Sequence, residues 1–195
     1  MQWFYNLKIA TKLIVSFLLV LVLTAGIGIF SIDKLADVNA TSTEIQDNWM
    51  PAMRAAQGMR FMAAEYRLRE ARHILAQSAA EMRTLEQEME ALLQEFEQRR
   101  LIYEPLIASP EERQLYQEML GLWAEYRKQS DSLLGISRQM MTEQAEGFFN
   151  NQSRQGFDSL AATLGQLVQL NNDGADAASE HGDALYADAR VAIIT

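Results

Sequence analysis

The chain has 195 residues, a hydrophobic fraction of 49% and a net charge of −9, which is enough apolar material for one buried core with residues to spare. It contains no cysteine, so disulfide frameworks, cysteine nucleophiles and thiolate metal sites are excluded. The acidic balance argues against a nucleic-acid partner. Only three prolines interrupt stretches rich in Ala, Leu, Glu, Gln and Met, a composition that favours long helices.

A run of 20 residues without a charged side chain extends from Leu13 to Ile32. About 20 apolar residues of helix cross the hydrocarbon core of a bilayer, so we predict a transmembrane helix over residues 13–32. Lys8 and Lys12 precede the run, and the remaining 15 basic and all 26 acidic residues follow it. The positive-inside rule therefore predicts that residues 1–12 are cytoplasmic and that the chain beyond the run is periplasmic or extracellular.

A cleaved signal peptide is the alternative, because Thr24 to Gly26 offers small residues near a possible cleavage point. The apolar run continues through Phe30 without a break, which favours an uncleaved anchor in the inner (cytoplasmic) membrane. A second apolar run opens at Val191, so we predict that residues 191–195 begin a second transmembrane helix. Residues 33–190 then form an extracytoplasmic domain.

Apolar spacing predicts that the first external helix runs from about Asp33 to Gln77. Two seams follow it at alternating steps of three and four residues. The first comprises Ile45, Trp49, Ala52, Ala56, Met59, Ala63 and Tyr66, and the second comprises Met53, Gln57, Arg60, Ala64, Arg67, Ala71 and Ile74. Two seams indicate two neighbours, as in a bundle that also forms a homodimer. Pro51 predicts a kink or local break.

Three further helices are predicted. A linker near Ser78 leads to the second, over residues 79–103. Ser109-Pro110 supplies an N-cap and a first helical residue for the third. After Glu146-Gly147 the fourth is expected to start near Asn151 and to continue to the end of the chain. Short connections make the predicted fold all-α: a transmembrane helix followed by an up-down-up-down antiparallel four-helix bundle.

Arginines gather at the predicted membrane-distal end of this bundle, and their planar guanidinium groups suit bidentate binding of carboxylates. Arg60 and Arg67 are seven residues apart and share a helix face, whereas Arg69 and Arg72 point elsewhere. This arrangement suits an anion pocket shared across a dimer seam. The alternative is ordinary surface salt bridges with nearby glutamates such as Glu65, Glu70 and Glu81.

No cofactor, metal or catalytic site is predicted. Glu70 and His73 match the Glu-x-x-His unit of di-iron bundles, but His181 has no glutamate three positions before it to complete a pair. Both histidines are therefore expected on the surface. The sequence has no Ser/His/Asp grouping and no Gly-rich phosphate loop, which argues against an enzyme.

Several segments resemble methyl-accepting chemotaxis proteins, the bacterial chemoreceptors. They are Leu7-Lys8-Ile9 with Lys12-Leu13, Gly26-Ile27-x-Ile29, Asn48-Trp49-Met50-Pro51, Glu70-Ala-Arg72-His73-Ile-Leu75, and Phe149 to Gly156. The resemblance covers essentially the whole chain and implies a four-helix-bundle ligand-binding domain that signals through transmembrane helices. It also implies a cytoplasmic chemotaxis kinase and adaptor as partners, reached through a part of the receptor beyond Thr195.

In aspartate-type receptors, the resemblance implies, three arginines of the first helix (Arg-x4-Arg-x3-Arg) and a hydroxyl-bearing residue opening the fourth bind the ligand between two subunits. Here Arg60 and Arg69 match the outer pair with Glu65 between them, and Arg67 and Arg72 match the first pair with Ala76 third. Ser153 and Arg154 stand where a threonine is expected. These departures favour a small carboxylate other than aspartate. The predicted ligand-binding residues are Arg60, Arg67, Arg69, Arg72, Ser153 and Arg154.

Two alternatives stay open. The same sensor could precede a histidine kinase or a cyclic-nucleotide enzyme, which residues after Thr195 would decide. The bundle could also be a membrane-anchored structural or adaptor module without a small ligand.

Overall fold

The computed structural model describes residues 8–194, and the side chains of residues 8–192. Its elements are α1 (Ile9–Glu44), a π-helical turn (Ile45–Trp49), α2 (Met50–Leu75), α3 (Ala79–Tyr103), a 3-10 turn (Glu104–Leu106), α4 (Pro110–Ser137), α5 (Thr142–Asn150) and α6 (Gln152–Ile194). No strand occurs among the described residues. Of the described residues, 8–45 and 177–194 form one compact unit, and Gln46–Asp176 form a second, which we call the bundle unit.

Helix α1 carries the predicted transmembrane run. It lies within a helical stretch that contains an 18-residue window of mean hydropathy 2.8, none of it buried within the structure. By length and composition this helix can cross a membrane. The external helix was expected to begin near Asp33, but α1 passes through that position without interruption. A single aspartate neither removes a backbone donor nor forces a turn, so it does not end a helix.

The local break predicted at Pro51 is confirmed. Proline has no N–H, so Pro51 cannot make the α-helical hydrogen bond to the carbonyl of Asp47. The backbone takes the π-helical turn Ile45–Trp49 immediately before it. Within the bundle unit the Trp49 ring lies against Gly174 so closely that a Cβ at that position would have no room.

Side-chain contacts establish the directions of the four long helices in the bundle unit. Tyr66 contacts Ser130 and His73 contacts Ser137, two pairs that are both 64 residues apart, so α2 and α4 run parallel. Helix α3 runs antiparallel to α2, because Arg69 contacts Glu88 whereas the earlier residue Gly58 contacts the later residue Arg99. Helix α6 is also antiparallel to α2, as shown by the pairs Arg67–Ser153 and Trp49–Gly174. The predicted up-down-up-down antiparallel four-helix bundle is confirmed.

The first predicted seam of α2 forms much of the core. Its members Ala52, Ala56, Met59, Ala63 and Tyr66 are all buried. Opposite them Phe96 of α3 and Trp123 of α4 stack at 4.2 Å between ring centroids. The second predicted seam is different, since Gln57, Arg60 and Ala64 are exposed. Its members Met53, Arg67 and Ala71 are half-buried and Ile74 is buried, so this seam is exposed only in part.

Two helix starts have a serine N-cap, and the one at Ser109 is the cap predicted from the sequence. The hydroxyl of Ser78 accepts a hydrogen bond from the backbone N–H of Glu81 at 3.2 Å, and that of Ser109 accepts one from Glu112 at 3.0 Å. Helix α3 covers the predicted residues 79–103.

The last long helix, α6, begins at Gln152, which confirms the predicted start near Asn151, but Glu146-Gly147 does not interrupt the helix that precedes it. Both residues lie inside α5, and the chain turns earlier, around Met140, whose φ is 58°. One glycine costs a helix only about 1 kcal/mol, which helix formation elsewhere in α5 can offset. A methionine with positive φ carries no turn signal in the sequence.

Candidate ligand-binding site

Arg67 and Ser153 are the two predicted ligand-binding residues that the structure brings together. Arg67 Nη1 donates to Ser153 Oγ at 3.1 Å, and Nη2 donates to the Phe149 carbonyl at 3.1 Å. The guanidinium carbon lies 4.0 Å from the centroid of the Phe149 ring and 4.9 Å from that of Phe157. Arg67 thus joins the middle of α2 to the end of α5 and the start of α6.

A buried carboxylate lies next to this arginine. Glu70 is fully buried, Tyr126 donates a hydrogen bond to its Oε2, and its Oε1 has no hydrogen-bond partner among the described residues. Burial raises the pKa of the Glu70 carboxyl above its ordinary value. The hydroxyls of Ser130 and Tyr126 offset part of that rise. The positive charges of Arg67 and Arg127 also lower this pKa.

The other predicted site residues lie apart from the Arg67–Ser153 contact. Arg60 and Arg72 are exposed and have no ion-pair or hydrogen-bond partner among the described residues. Arg69 pairs with Glu65 and with Glu88, whose Oε2 is 3.1 Å from its Nε. The exposed Arg154 lies 3.6 Å from Asp158. The salt-bridge alternative therefore describes Arg69 and Arg154, whereas Arg60 and Arg72 retain free donors.

An exposed apolar stripe runs along α2 between these arginines. Phe61, Leu68 and Leu75 recur every seven residues and are 58%, 50% and 66% exposed. At 100° per residue, Ala64 and Ala71 fall on the same stripe. Arg60 and Arg67 lie along one edge of it, and Arg72 lies along the other. We call this surface the α2 seam.

His73 corrects the expectation that both histidines are surface residues. Its side chain is fully buried, with Nδ1 2.8 Å from Ser137 Oγ and Nε2 3.0 Å from Glu86 Oε1. Its spacing could have revealed this, because Glu70 and His73 continue the first seam beyond Tyr66 at steps of four and three. His181 is exposed as expected. Among the described residues, no group of three or more His, Cys, Asp or Glu side chains could hold a metal ion.

Comparisons with known proteins agree with this architecture. Residues 6–186 match the family described as a four helix bundle sensory module for signal transduction, and the chain belongs to that family. It is also 21% identical over 181 residues to YvaQ of Bacillus subtilis (strain 168), whose name describes a sensory transducer protein. That match covers 93% of this chain and 32% of YvaQ, so the chain spans about a third of the length of this relative. A chemoreceptor-type sensory bundle with a membrane-anchoring helix is the class that the fold and the family define.

Proposed function

We propose that this chain is the sensory region of a chemoreceptor that binds a small carboxylate outside the cytoplasmic membrane, at the interface of a homodimer. It acts as a sensor and not as an enzyme. The signal passes through its transmembrane helices to a cytoplasmic chemotaxis kinase and adaptor. The observation that carries the proposal is the α2 seam with its flanking arginines.

The seam has the heptad pattern of a parallel two-stranded helix pair. Phe61, Leu68 and Leu75 occupy one core position of the heptad, conventionally called a, and Ala64 and Ala71 occupy the other, called d. A second copy of this chain is the occupant that matches such a pattern. Anchoring both copies in one membrane raises their effective concentration, so a small interface is sufficient.

Charge along the seam indicates where the anion binds. In a parallel pair, a residue at position g of one helix faces position e, five residues later, in the other. Arg60 at g would face Glu65 of the second copy, an attractive pair. Arg67 at g would face Arg72 of the second copy, a repulsive one. A carboxylate between these two arginines would attract both and reduce their repulsion, and two-fold symmetry gives two such sites per dimer.

Binding there can produce a signal through a shift in population. The ligand would favour the arrangement of the two copies in which Arg67 and Arg72 approach each other. Arg67 also holds the start of α6 through Ser153, so a change at the seam reaches the helix that continues to residue 194. Differential affinity for two arrangements is all that such a mechanism requires.

The ligand proposal is tested by calorimetry on the whole chain in lipid nanodiscs, with succinate, malate and citrate as probes. Arg72→Ala should weaken the affinity for the tightest-binding probe about tenfold to a hundredfold, the effect of losing a charge-assisted hydrogen bond. Arg83→Ala is the matched control, since Arg83 is exposed and has no partner among the described residues but lies on α3. Equal affinity in both variants, or no binding of any probe, would refute the carboxylate site.

The proposed orientation has its own test. Alkaline phosphatase fused after Asn39 should be active, because the positive-inside rule exports the region that follows the Lys8–Lys12 end of the apolar run. The same enzyme fused before Met1 should be inactive. Replacing Lys8 and Lys12 with Glu should reduce the activity of the first fusion. Activity of the N-terminal fusion alone would reverse the proposed topology.

A further inference from the structure

A cavity of about 270 Å³ lies between α2, α3 and α4 within one copy of the bundle unit. It is separate from the α2 seam and from the Arg67–Ser153 contact. Its lining combines charged groups of both signs with an apolar wall formed by Met89, Leu93 and Leu134. Small-molecule sites typically combine an apolar lining with a few placed polar groups.

Arg127 provides a cation at one part of this cavity. Its Nη1 donates to the Tyr66 hydroxyl at 2.8 Å, and its guanidinium carbon lies 5.0 Å from the centre of the Tyr66 ring. Asp131, four residues later on the same helix, would be the usual ion-pair partner, yet no carboxylate of the described residues lies within ion-pair distance of Arg127. A half-buried guanidinium thus keeps most of its five N–H donors available.

Two carboxylates in the same lining have no ion-pair partner within contact distance, although the charge of Asp131 acts on Arg138. Glu90 and Asp131 make no ion pair with any described residue. Glu86 is different, because its Oε1 already accepts from Arg138 at 2.7 Å and contacts His73 at 3.0 Å. The cavity therefore contains one unpaired cation and two unpaired anions.

Glu90 is separated from Arg127 along the bundle axis, whereas Asp131 lies one helical turn from Arg127. The Glu86–Arg138 contact fixes the register of α3 against α4, which run antiparallel. Arg127 is eleven residues from Arg138 and Glu90 is four from Glu86, so this contact places their backbones about 10 Å apart in height. The Phe96–Trp123 stacking between the same two helices gives about 3 Å, so the two contacts bracket the separation. The apolar wall lines the same cavity.

We propose that this cavity binds a small linear zwitterion whose carboxylate and ammonium groups are separated by methylenes, as in an ω-amino acid. The carboxylate binds the free N–H groups of Arg127, in the bidentate geometry that a guanidinium allows. The ammonium binds Glu90 and Asp131. The methylenes contact Met89, Leu93 and Leu134. Binding needs one copy of the chain, so it does not depend on the proposed carboxylate site at the dimer seam.

The number of methylenes between the two charged groups of the ligand provides the first test. The whole chain in lipid nanodiscs is titrated calorimetrically with β-alanine, γ-aminobutyrate, δ-aminovalerate and ε-aminocaproate. Affinity should pass through a maximum within this series, because only one spacing satisfies both ends. Butyrate and butylamine, which carry one charge each, should bind at least about tenfold more weakly than the best zwitterion. The proposal is overturned if the affinity does not depend on the number of methylenes in the ligand, or if no ligand of the series binds.

Matched variants locate the site. Arg127→Gln and Glu90→Gln should each weaken the best zwitterion about tenfold to a hundredfold. Lys128→Gln and Glu95→Gln are the controls, because both residues are exposed neighbours on the same two helices outside the cavity lining. Glu90 is itself exposed, so its variant reports on binding even if Arg127→Gln perturbs the fold. Arg72→Ala should leave this affinity unchanged. Equal losses in the variants and their controls would place the zwitterion elsewhere.

Discussion

Replacing Tyr126 with Phe is expected to lower the free energy of unfolding by about 2–4 kcal/mol at a pH above the folded-state pKa of Glu70. The Tyr126 hydroxyl donates to Oε2 of Glu70, whose Oε1 has no hydrogen-bond partner in the described part of the chain. Without that hydroxyl, a fully buried carboxylate would lose the hydrogen bond to its Oε2, and only the Ser130 hydroxyl and the charges of Arg67 and Arg127 would still stabilise its ionised form. Tyr186→Phe is the control, because the Tyr186 side chain is 61% exposed, and it should change the free energy of unfolding very little.

This cost should depend on pH. Burial raises the folded-state pKa of Glu70 above its ordinary value of 4.5. The folded state therefore holds the proton more tightly than the unfolded state, and ionisation of Glu70 reduces stability as pH rises from about 4.5 through the folded-state pKa. Below that window the carboxyl is neutral, and the loss of the Tyr126 hydroxyl should cost less.

The Glu70→Gln variant separates the effect of Glu70 ionisation on stability from the effects of all other titrating groups. The stability of the Glu70→Gln variant relative to the parent chain should rise with pH across the same window and then level off. In the Glu70→Gln background, Tyr126→Phe should cost about 1 kcal/mol, the usual effect of losing a neutral hydrogen bond. Chemical unfolding of the four chains at several pH values measures all of these quantities. A cost for Tyr126→Phe that stays constant across the pH range in which Glu70→Gln gains stability relative to the parent chain would show that Glu70 is not the group affected.

Periodicity predicted the helices and most of the core of this bundle, because burial repeats with the helical turn. The same spacing extends to Glu70 and His73. Because both residues are polar, a prediction based on apolar residues alone does not assign them to the core. Their partners Tyr126 and Ser137 lie on α4, more than 55 residues away in the chain. Pairing over such a distance depends on the packed register of two helices, which one sequence does not specify.

The candidate site was also predicted from the sequence only in part. The sequence identified Arg67 and Ser153 as members of one site, and they are in contact. It also grouped Arg69 and Arg154 with them, because arginine at a given spacing looks the same whether or not a carboxylate neutralises it. Which arginines keep free donors depends on side-chain direction, as the pairing of Arg69 with Glu65 and Glu88 shows.

Reversing the charge of Arg72 is expected to produce the largest functional change. Across the proposed seam Arg67 faces Arg72 of the second copy, so Arg72→Glu would replace a repulsive pair with an attractive one at two symmetric positions. Exposed ion pairs contribute about 0.2–1 kcal/mol each. Because the variant also removes the repulsion, the dimer should tighten by about 1–2 kcal/mol, or roughly fivefold to thirtyfold in its dissociation constant.

The same variant should lose carboxylate binding, because the introduced glutamate occupies the position of the anion. Arg72→Glu would then resemble the ligand-bound dimer without any ligand, and added succinate, malate or citrate should not tighten it further. Arg83→Glu on α3 carries the same change of charge away from the seam and should match the parent chain. Sedimentation of the detergent-solubilised chain, with and without each anion, measures both effects. The attraction should also weaken at high salt, since exposed charges are screened. A dimer weakened by Arg72→Glu would mean that this arginine faces an acidic group across the interface, and the carboxylate site would then have to lie elsewhere on the bundle.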